Sequence, residues 1–326
     1  MANILVTGGA GYIGSHTSKQ LAASGHTPIV YDNLANGHRD AVRWEPFEAG
    51  DITDGARLRE VIGLHKPQAA IHFAGLIEVG ISVVDPAAFY DTNVNGSLTL
   101  LRALVDAGVG SVVFSSTAAV YGQPQSVPIP EDAPSAPINP YGETKRAVEA
   151  MLGYFAAAHG LRYAALRYFN AAGADPEGDL GERHDPESHL IPLVLFAALG
   201  QRPHIDVYGT DYPTPDGTAV RDYAHVCDLS SAHVAALDYL AASPEPLIAN
   251  LGTGAGYSVR QVVETCRRIT QRNIPSQDAP RRAGDSPELV AAVDRARERI
   301  GWRAQMSDLD TIVATAWAWH RAQAGE

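Results

Sequence analysis

Cysteine and long apolar runs are both scarce in this chain. Cys227 and Cys266 are its two cysteines, and their wide separation argues against a disulfide framework or a cysteine-based metal site. The longest apolar run, near residues 190–200, is interrupted by Pro192 and is too short to cross a bilayer. The first residues lack the basic segment of a signal peptide. We therefore expect a cytoplasmic protein that does not associate with membranes.

Positive charge is scarce as well. The chain has 25 Lys and Arg against 37 Asp and Glu, so its formal net charge is −12. This balance argues against general nucleic-acid binding but leaves room for local basic sites that bind anions. The 12 histidines show no metal-ligand spacing such as His-Glu-x-x-His, and we expect no metal site. With 326 residues, of which 45% are hydrophobic, the chain is typical of a globular protein with one large or two modest domains.

The N-terminal stretch has the pattern of a dinucleotide-binding turn. A short apolar run at residues 4–6 is followed by Gly8, Gly11 and Gly14 and then by a helical pattern. Such glycines let a pyrophosphate approach the N-terminus of the helix. The next strand pattern ends at Asp32, whose carboxylate would bind an adenosine ribose and repel a 2′-phosphate, which favours NAD over NADP. The alternative is a glycine turn that serves only tight helix–strand packing.

Strand and helix patterns alternate along the first half of the chain. This alternation predicts an α/β protein with a doubly wound parallel sheet, that is, a Rossmann fold. From about Gly173 the sequence changes to loops rich in Gly, Pro and Asp with short helices, which suggests a smaller mixed α/β domain for the substrate. We expect an NAD-binding domain of residues 1–172 with a returning segment near 222–252. The smaller, substrate-binding domain would then comprise residues 173–221 and 253–326.

A candidate catalytic pair lies at the start of the helix predicted from residue 141 to about 159. Tyr141 and Lys145 are four residues apart, so they would share one face of that helix. The ammonium group of Lys145 would lower the pKa of the phenol, and Tyr141 could then take a proton from an alcohol. A hydroxyl of Ser115, Ser116 or Thr117, at the C-terminal end of a strand, could bind the alcohol oxygen. The alternative is an exposed Tyr–Lys pair with a Ser/Thr helix cap.

Further polar positions fit a nucleotide site. Asp51 follows a strand pattern and could face the adenine, and the small residues Ala74 and Gly75 let the chain pass close to a cofactor. Arg221 and the Arg281–Arg282 pair lie in the second half of the chain. Because arginine binds phosphate oxygens bidentately, these side chains could anchor a substrate diphosphate. Ordinary surface ion pairs are the alternative.

With these residues in view, the chain closely resembles the UDP-glucose 4-epimerases of the extended short-chain dehydrogenase/reductase superfamily. The resemblance runs nearly end to end. It rests on the stretches VTGGAGYIGSHT, YDNL, GDI, IHFAGL, NVNG, FSSTAAVYG, PYGETK, LRYFNAAGA, HLIP, DYPTPDGTAVRDY and APRRAGD.

The resemblance implies interconversion of UDP-glucose and UDP-galactose through a 4-keto sugar, with tightly held NAD as the redox reagent. Tyr141 would remove the O4 proton with help from Thr117, and Lys145 would bind the nicotinamide ribose. The implied cofactor contacts are Gly8, Gly11, Tyr12, Ile13, Gly14, Asp32, Asn33, Leu34, Asn36, Gly37, Asp51, Ile52, Phe73, Ala74, Gly75, Asn93, Ser115, Tyr141, Lys145 and Phe169. The implied substrate contacts are Thr117, Asn170, His189, Leu190, Tyr208, Arg221, Arg282, Asp285 and Leu289. A homodimer through helices near residues 90–107 and 140–158 is implied as well.

Two departures from the family pattern suggest further hypotheses. Ile77 stands where many members have a cofactor-binding lysine, so bound NAD would exchange partly with free NAD. Leu289 aligns with the residue that gates N-acetylated sugars, and leucine is smaller than the tyrosine of strict glucose/galactose enzymes. Some activity on UDP-GlcNAc and UDP-GalNAc is therefore expected. An epimerase of N-acetylated or other UDP-sugars is the alternative enzyme, and a silent NAD-sensing protein is an alternative of another class.

Overall fold

The computed structural model describes residues 1–44, 46–282 and 285–326. Residues 283 and 284, which belong to the motif APRRAGD, lie outside this part of the chain. The strands are β1 (Asn3–Thr7), β2 (Thr27–Asp32), β3 (Phe47–Ala49), β4 (Ala69–His72), β5 (Ser111–Thr117), β6 (Arg162–Tyr168), β7 (Asn170–Ala172), β8 (Ile205–Tyr208), β9 (Val220–Arg221), β10 (Tyr223–His225), β11 (Leu247–Leu251), β12 (Tyr257–Ser258), β13 (Ser276–Ala279) and β14 (Glu288–Leu289).

Helices alternate with these strands. They are α1 (Tyr12–Ala23), α2 (Gly55–His65), α3 (Val79–Val84), α4 (Pro86–Phe89), α5 (Gly96–Asp106), α6 (Pro140–His159), α7 (Leu190–Ala198), α8 (Val226–Ala242), α9 (Val259–Thr270), α10 (Asp294–Ile300) and α11 (Leu309–Gln323). Short 3-10 helices cover Arg39–Ala41 and Ala118–Tyr121. In the described part of the chain, no helix combines the length and apolar character needed to cross a bilayer.

Within the described ranges, seven strands form a parallel sheet in the order β11-β6-β5-β4-β1-β2-β3. Strand β1, in the interior of this sheet, shows why both faces are covered by helices. Ile4 and Val6 pack into one apolar cluster, whereas Leu5 packs into the cluster on the other face. A strand buried on both faces reads as a continuous apolar run. The prediction of a doubly wound parallel sheet is confirmed. The strand order reverses between β1 and β4, and in such sheets ligands bind outside the carboxyl ends of the strands at that point.

The stretch of residues 86–106 is helical throughout but is not one regular α-helix. A π-helical segment, Tyr90–Asn95, joins α4 to α5. Each π turn has one residue more than an α turn, and such segments often occur at functional sites. Asn93, a predicted cofactor contact, lies in this segment.

The second half of the chain contributes small sheets beside the large one. Strands β12, β9 and β14 form one of them, and α7, α9 and α11 pack around an apolar cluster that includes Leu195, Val262 and Trp317. Strand β11 pairs with β6, so part of segment 222–252 returns to the large sheet. The boundaries of the two domains stay a prediction.

Candidate active site

The glycine turn between β1 and α1 is tight and leaves the helix N-terminus without a side-chain cap. Gly8 has a φ of +73°, and a Cβ at Gly14 would lie 2.2 Å from the Gly8 carbonyl oxygen. Gly11 is the N-cap of α1, and its cap makes no side-chain hydrogen bond. Gly8 also packs on the loop after β4, because a Cβ there would lie 2.5 Å from the amide nitrogen of Ala74. The glycines therefore serve close packing and also leave backbone amides available to an anion.

Asp32 lies buried beside this turn at the end of β2. Its Oδ2 accepts a hydrogen bond of 3.0 Å from the amide of Ala10, and its Oδ1 accepts one of 2.8 Å from the amide of Leu34. Burial raises the pKa of Asp32, while the two backbone hydrogen bonds lower it. A Cβ at Gly37 would lie 3.0 Å from Oδ1, so the loop after β2 folds closely over the carboxylate.

Other predicted cofactor positions flank the turn. Asn33 donates a hydrogen bond of 2.8 Å to Asp51, next to the buried Ile52. The hydroxyl of Tyr12 instead donates to the carbonyl oxygen of Gly173 at 2.6 Å, so this side chain joins α1 to the second half of the chain. Asn36 lines a small cavity beside Gly11, and the half-buried Ile13 and Phe73 pack against the apolar cluster of the sheet.

Asn93 fixes the loop that follows β4. Its Oδ1 accepts from the amide of Leu76 at 2.8 Å, and its Nδ2 donates to the Leu76 carbonyl at 3.0 Å and to Thr144 Oγ1 at 3.1 Å. A Cβ at Gly75 would lie 2.9 Å from Asn93 Oδ1 and 3.8 Å from Lys145 Nζ. The amide of Asn93 thus ties the loop to α6, and glycine at position 75 permits the close approach.

Helix α6 presents the predicted catalytic pair on one face. The helix begins at Pro140, with the side chain of Asn139 accepting from the Gly142 amide at 2.8 Å. The Nζ of Lys145 donates to the carbonyl oxygen of Ser115 at 2.9 Å and lies 6.0 Å from the centre of the Tyr141 ring. The hydroxyl of Thr117, at the end of β5, lies near the Tyr141 phenol and lowers its pKa. The interpretation as an exposed surface pair is wrong for Lys145, which is 3% exposed.

Burial dominates the protonation of this corner. It lowers the pKa of Lys145 to about 8, and the charge of Glu149 offsets part of that effect. Burial also raises the pKa of Tyr141 above its usual value of 10. The hydroxyl of Thr117 lowers that pKa, and the charge of Glu78 raises it further. The expectation that Lys145 lowers the phenol's pKa is therefore wrong for the ligand-free chain, because desolvation of the phenol is the larger effect.

The three neighbouring hydroxyls have different partners. Ser115 bonds to the hydroxyl of Tyr168, and Ser116 donates to Glu149 at 2.5 Å. Of the trio, Thr117 is the hydroxyl that lowers the pKa of Tyr141. These contacts favour Thr117 among the three candidates that the sequence left open, and its catalytic role stays a prediction.

Charged side chains from distant parts of the sequence meet beside the pairing of β9 with β14. Arg221 lies on β9, with Nη2 3.9 Å from Oδ1 of Asp285. The Nε of Arg282 donates to the second oxygen of Asp285 at 2.9 Å, and its guanidinium lies 5.1 Å from the centre of the Tyr208 ring. Burial lowers the pKa of Arg221. One carboxylate therefore holds two guanidinium groups side by side, an arrangement suited to binding a diphosphate.

The remaining predicted substrate positions have the following partners. Leu289 pairs with Arg221 in the small sheet and packs with Phe169 against one apolar cluster. Asn170 donates to the carbonyl oxygen of Asp222 at 3.1 Å. His189 is the N-cap of α7, which begins at Leu190, and its imidazole contacts acidic side chains. The individual binding roles stay predictions.

Two polar clusters, the first buried and the second partly buried, were missed from the sequence. Arg167 and Glu149 form an ion pair with side chains 5% and 7% exposed, and it fixes β6 to α6. The other cluster comprises Glu182, His184, Glu187 and His189, in which the carboxylates raise the pKa of His184 to about 9 and that of His189 to about 10. The spacing Glu-x-His-x-x-Glu-x-His was the available signal for this cluster.

The parallel sheet, the glycine turn and the Thr–Tyr–Lys corner define a dinucleotide-binding enzyme of the Rossmann class. A profile of the NAD dependent epimerase/dehydratase family matches residues 4–252, and the chain belongs to that family.

Characterised proteins give a more specific likeness. The chain is 56% identical over 318 residues to a UDP-glucose 4-epimerase of Rhizobium meliloti (strain 1021), covering 98% of this chain and 97% of the relative. A crystal structure of a UDP-glucose 4-epimerase from Brucella ovis in complex with NAD has a TM-score of 0.96 and 52% identity, covering 98% of each chain. A UDP-glucose-4-epimerase from Stenotrophomonas maltophila, with bound NAD and formylated UDP-arabinopyranose, has a TM-score of 0.97 and 40% identity, covering 100% of this chain and 99% of that one. The resemblance to UDP-glucose 4-epimerases is confirmed.

Proposed function

We propose that this chain interconverts UDP-glucose and UDP-galactose at C4 of the sugar, with NAD as its cofactor. The observation that carries the proposal is the corner in which the Tyr141 phenol lies near the hydroxyl of Thr117, one helical turn from the buried Lys145. The relatives named above are UDP-glucose 4-epimerases at up to 56% identity over nearly the whole chain. A silent NAD-sensing protein has no need of such a corner.

The residues of the glycine turn fit a dinucleotide. A Cβ at Gly11 would meet nothing nearer than the Gly8 carbonyl oxygen at 3.3 Å, so the space above the uncapped start of α1 is open. A diphosphate would occupy that space, because helix N-termini bind anions. Asp32 would hold the adenosine ribose, Asp51 would lie toward the adenine, and Lys145 would hold the nicotinamide ribose. When bound, NAD supplies the reversible two-electron oxidation of the sugar alcohol at C4.

The protein's own contribution is proton transfer at the sugar O4. Tyr141 accepts the O4 proton as the alcohol is oxidised and returns it when the 4-keto sugar is reduced on its other face. Thr117 orients that oxygen through its hydroxyl, which can both donate and accept. The buried ammonium group of Lys145 stabilises the phenolate, an effect that grows as the corner becomes drier. Positioned acid–base groups of this kind contribute roughly 10²–10⁴-fold in rate.

The nucleotide end of the substrate needs a firmer hold than the sugar, because the 4-keto sugar must turn over between the two transfers. Arg221 and Arg282, oriented by Asp285, would bind the diphosphate, and Tyr208 would lie near the uracil. Binding energy from this remote part of the substrate retains the intermediate while the sugar rotates. Leu289 and Phe169, which pack against one apolar cluster, would border the space available to the sugar.

Conversion of UDP-galactose by the purified chain tests the proposal directly. We expect UDP-glucose to form without added NAD, with bound cofactor detected after denaturation of the protein. Absence of conversion by a chain shown to hold NAD would favour the sensor. Conversion only of N-acetylated or uronic UDP-sugars would favour the alternative epimerase.

Three further properties belong to this proposal. The NAD-binding domain would comprise residues 1–172 with the return near 222–252, supported by the pairing of β11 with β6.

A homodimer through α5 and α6 would cover Tyr154, which is 76% exposed, and light scattering of a Tyr154→Arg variant tests it. The free thiols of Cys227 and Cys266 support a cytoplasmic location.

A further inference from the structure

Four side chains in the segment before α7 converge on one point. Nδ1 of His189 lies 2.8 Å from Oε1 of Glu182 and 3.2 Å from Oε1 of Glu187. Nδ1 of His184 lies 3.1 Å from Oε1 of Glu182 and 3.7 Å from Oε2 of Glu187. One nitrogen or oxygen atom from each residue lies within 4.8 Å of all the others. Two imidazoles and two carboxylates thus face one another.

We propose that Glu182, His184, Glu187 and His189 bind one zinc ion. Zinc–nitrogen and zinc–oxygen bonds of about 2.0–2.1 Å in a tetrahedron place the ligand atoms roughly 3.3 Å apart. The four nitrogen–oxygen separations given above, from 2.8 to 3.7 Å, lie on both sides of that value, with Glu187 offering Oε1 to His189 and Oε2 to His184. The donor set of two imidazole nitrogens and two carboxylate oxygens is one that zinc accepts.

A buried oxygen without a hydrogen-bond partner points to a missing ligand. The side chain of Glu187 is 4% exposed, yet among the described residues its Oε2 has no hydrogen-bond partner. Burying such a group without a partner is costly, and a metal ion would satisfy it. Zinc would bind here by displacing the two imidazolium protons, because the two carboxylates with two deprotonated imidazoles carry two negative charges, which one divalent cation neutralises.

A second group of carboxylates in the same region shows a different solution. Asp175, Glu177 and Asp179 also converge, but Nζ of Lys19 lies 2.7, 2.5 and 3.0 Å from their oxygens. A protein cation already occupies that position, so the group calls for no metal.

The zinc site would be structural. Four protein ligands close the coordination sphere, whereas catalytic zinc keeps one position for water or substrate. The indole Nε1 of Trp319 on α11 donates to the carbonyl oxygen of Glu182 at 3.1 Å. Zinc would therefore fasten the start of α7 to the body of the domain. The sequence analysis expects no metal site because the histidines lack a helical spacing such as His-Glu-x-x-His. The four residues proposed here lie in an irregular segment, which does not follow such a spacing.

Metal titration of the full chain, free of any affinity tag and stripped with a chelator, tests the site. We expect one zinc per chain when ZnCl2 is titrated in competition with a chromophoric chelator, with a Kd below about 1 μM. Saturating zinc should raise Tm by several degrees, since it binds the native state. Co2+ in its place should give the intense visible absorption of tetrahedral coordination.

Matched variants locate the site. His184→Gln and Glu187→Gln should each weaken zinc binding at least 100-fold, while His184→Cys, which keeps a zinc ligand, should retain it. The control is His65→Gln, because His65 lies 2.6 Å from Glu48 in a histidine–glutamate pair elsewhere in the fold. Circular dichroism verifies that each variant is folded. A wild-type Kd above about 100 μM, an octahedral cobalt spectrum, or equal losses in His65→Gln and His184→Gln would overturn the proposal, whatever the outcome of the UDP-galactose assay.

Discussion

Cationic side chains are balanced differently at the two parts of the proposed site, the sheet edge around Lys145 and the proposed nucleotide end at Arg221 and Arg282. At the sheet edge, Lys145 is 3% exposed and donates to a carbonyl oxygen, and among the described residues no carboxylate lies within ion-pair distance of it. At the nucleotide end, Arg221 and Arg282 share the carboxylate of Asp285. The lysine thus remains electrostatically costly until a ligand arrives, whereas the arginines are held in place by protein.

This difference matches the two tasks that we propose. A desolvated, unpaired ammonium group stabilises negative charge that develops beside it, which is what proton abstraction by Tyr141 requires. Paired guanidinium groups bind an anion in a fixed geometry and need not respond to changes in charge. We therefore expect substitutions at the sheet edge to lower kcat and substitutions at the nucleotide end to raise KM.

The largest expected effect is that of Tyr141→Phe. Removal of the hydroxyl eliminates the proposed acid–base group, so kcat for UDP-galactose should fall about 10³-fold, within the range for such groups. The ring keeps its contact with Phe89, and far-UV circular dichroism and bound NAD should be unchanged. Initial rates of UDP-glucose formation measure the effect. A variant within tenfold of wild type would exclude Tyr141 as the base.

Lys145→Met should lower kcat about 100-fold while leaving the ligand-free chain at least as stable. Burial lowers the pKa of Lys145 to about 8 from an unfolded value of 10.5. Between these values the unfolded chain binds more protons, so the free energy of unfolding rises with pH, by about 3 kcal/mol in total for this group. Below pH 8 both states are protonated and the burial cost is fully present. Replacement by methionine should remove both the rise in the free energy of unfolding with pH and the cost of burying the ammonium group.

Urea unfolding of the NAD-stripped chain from pH 7 to pH 10 measures this. Lys19→Met is the matched control, because Lys19 contacts Asp175, Glu177 and Asp179 and its loss should destabilise the protein. The contrast would fail if both methionine variants lost stability equally at pH 7.

The fold and the sheet edge were largely predictable from sequence because they depend on local patterns. Gly8, Gly11 and Gly14 mark a turn, Asp32 ends the next strand, and the spacing of Tyr141 and Lys145 fixes one helix face. The sign of the Tyr141 pKa shift was not predictable, since it depends on how completely the folded chain removes water from the phenol.

The nucleotide end was less accessible to sequence reasoning. Arg221 meets Asp285 only because β9 and β14 pair, and two-residue strands leave no periodic signal. The π segment around Asn93 is hidden for a related reason, since its pattern continues that of the flanking helices. Contacts between residues distant in sequence thus account for most of what the sequence could not supply.

Arg221→Met should raise KM for UDP-galactose roughly 100-fold and change kcat less than about threefold, because it removes binding that ground and transition states share. Arg282→Met should raise KM by only about tenfold, since its side chain is 60% exposed and solvent screens its charge. Arg268→Met is the control, because Arg268 pairs with Asp310 and was not predicted to contact substrate. Steady-state kinetics separate the two constants. A fall in kcat as large as the rise in KM would contradict the division of tasks between the two ends.

The smallest expected effect is that of substitutions at Leu289, which pairs with Arg221 in the small sheet. This half-buried side chain packs with Phe169 against one apolar cluster, so a larger residue there would narrow the space for an N-acetyl group. Leu289→Tyr should lower kcat/KM for UDP-GlcNAc about tenfold and that for UDP-galactose less than threefold, in line with the discrimination that pocket size provides. Leu289→Met conserves volume and should change neither value appreciably. Competition between the two substrates in one reaction measures the ratio, and an unchanged ratio in Leu289→Tyr would show that sugar selection resides elsewhere in the crevice.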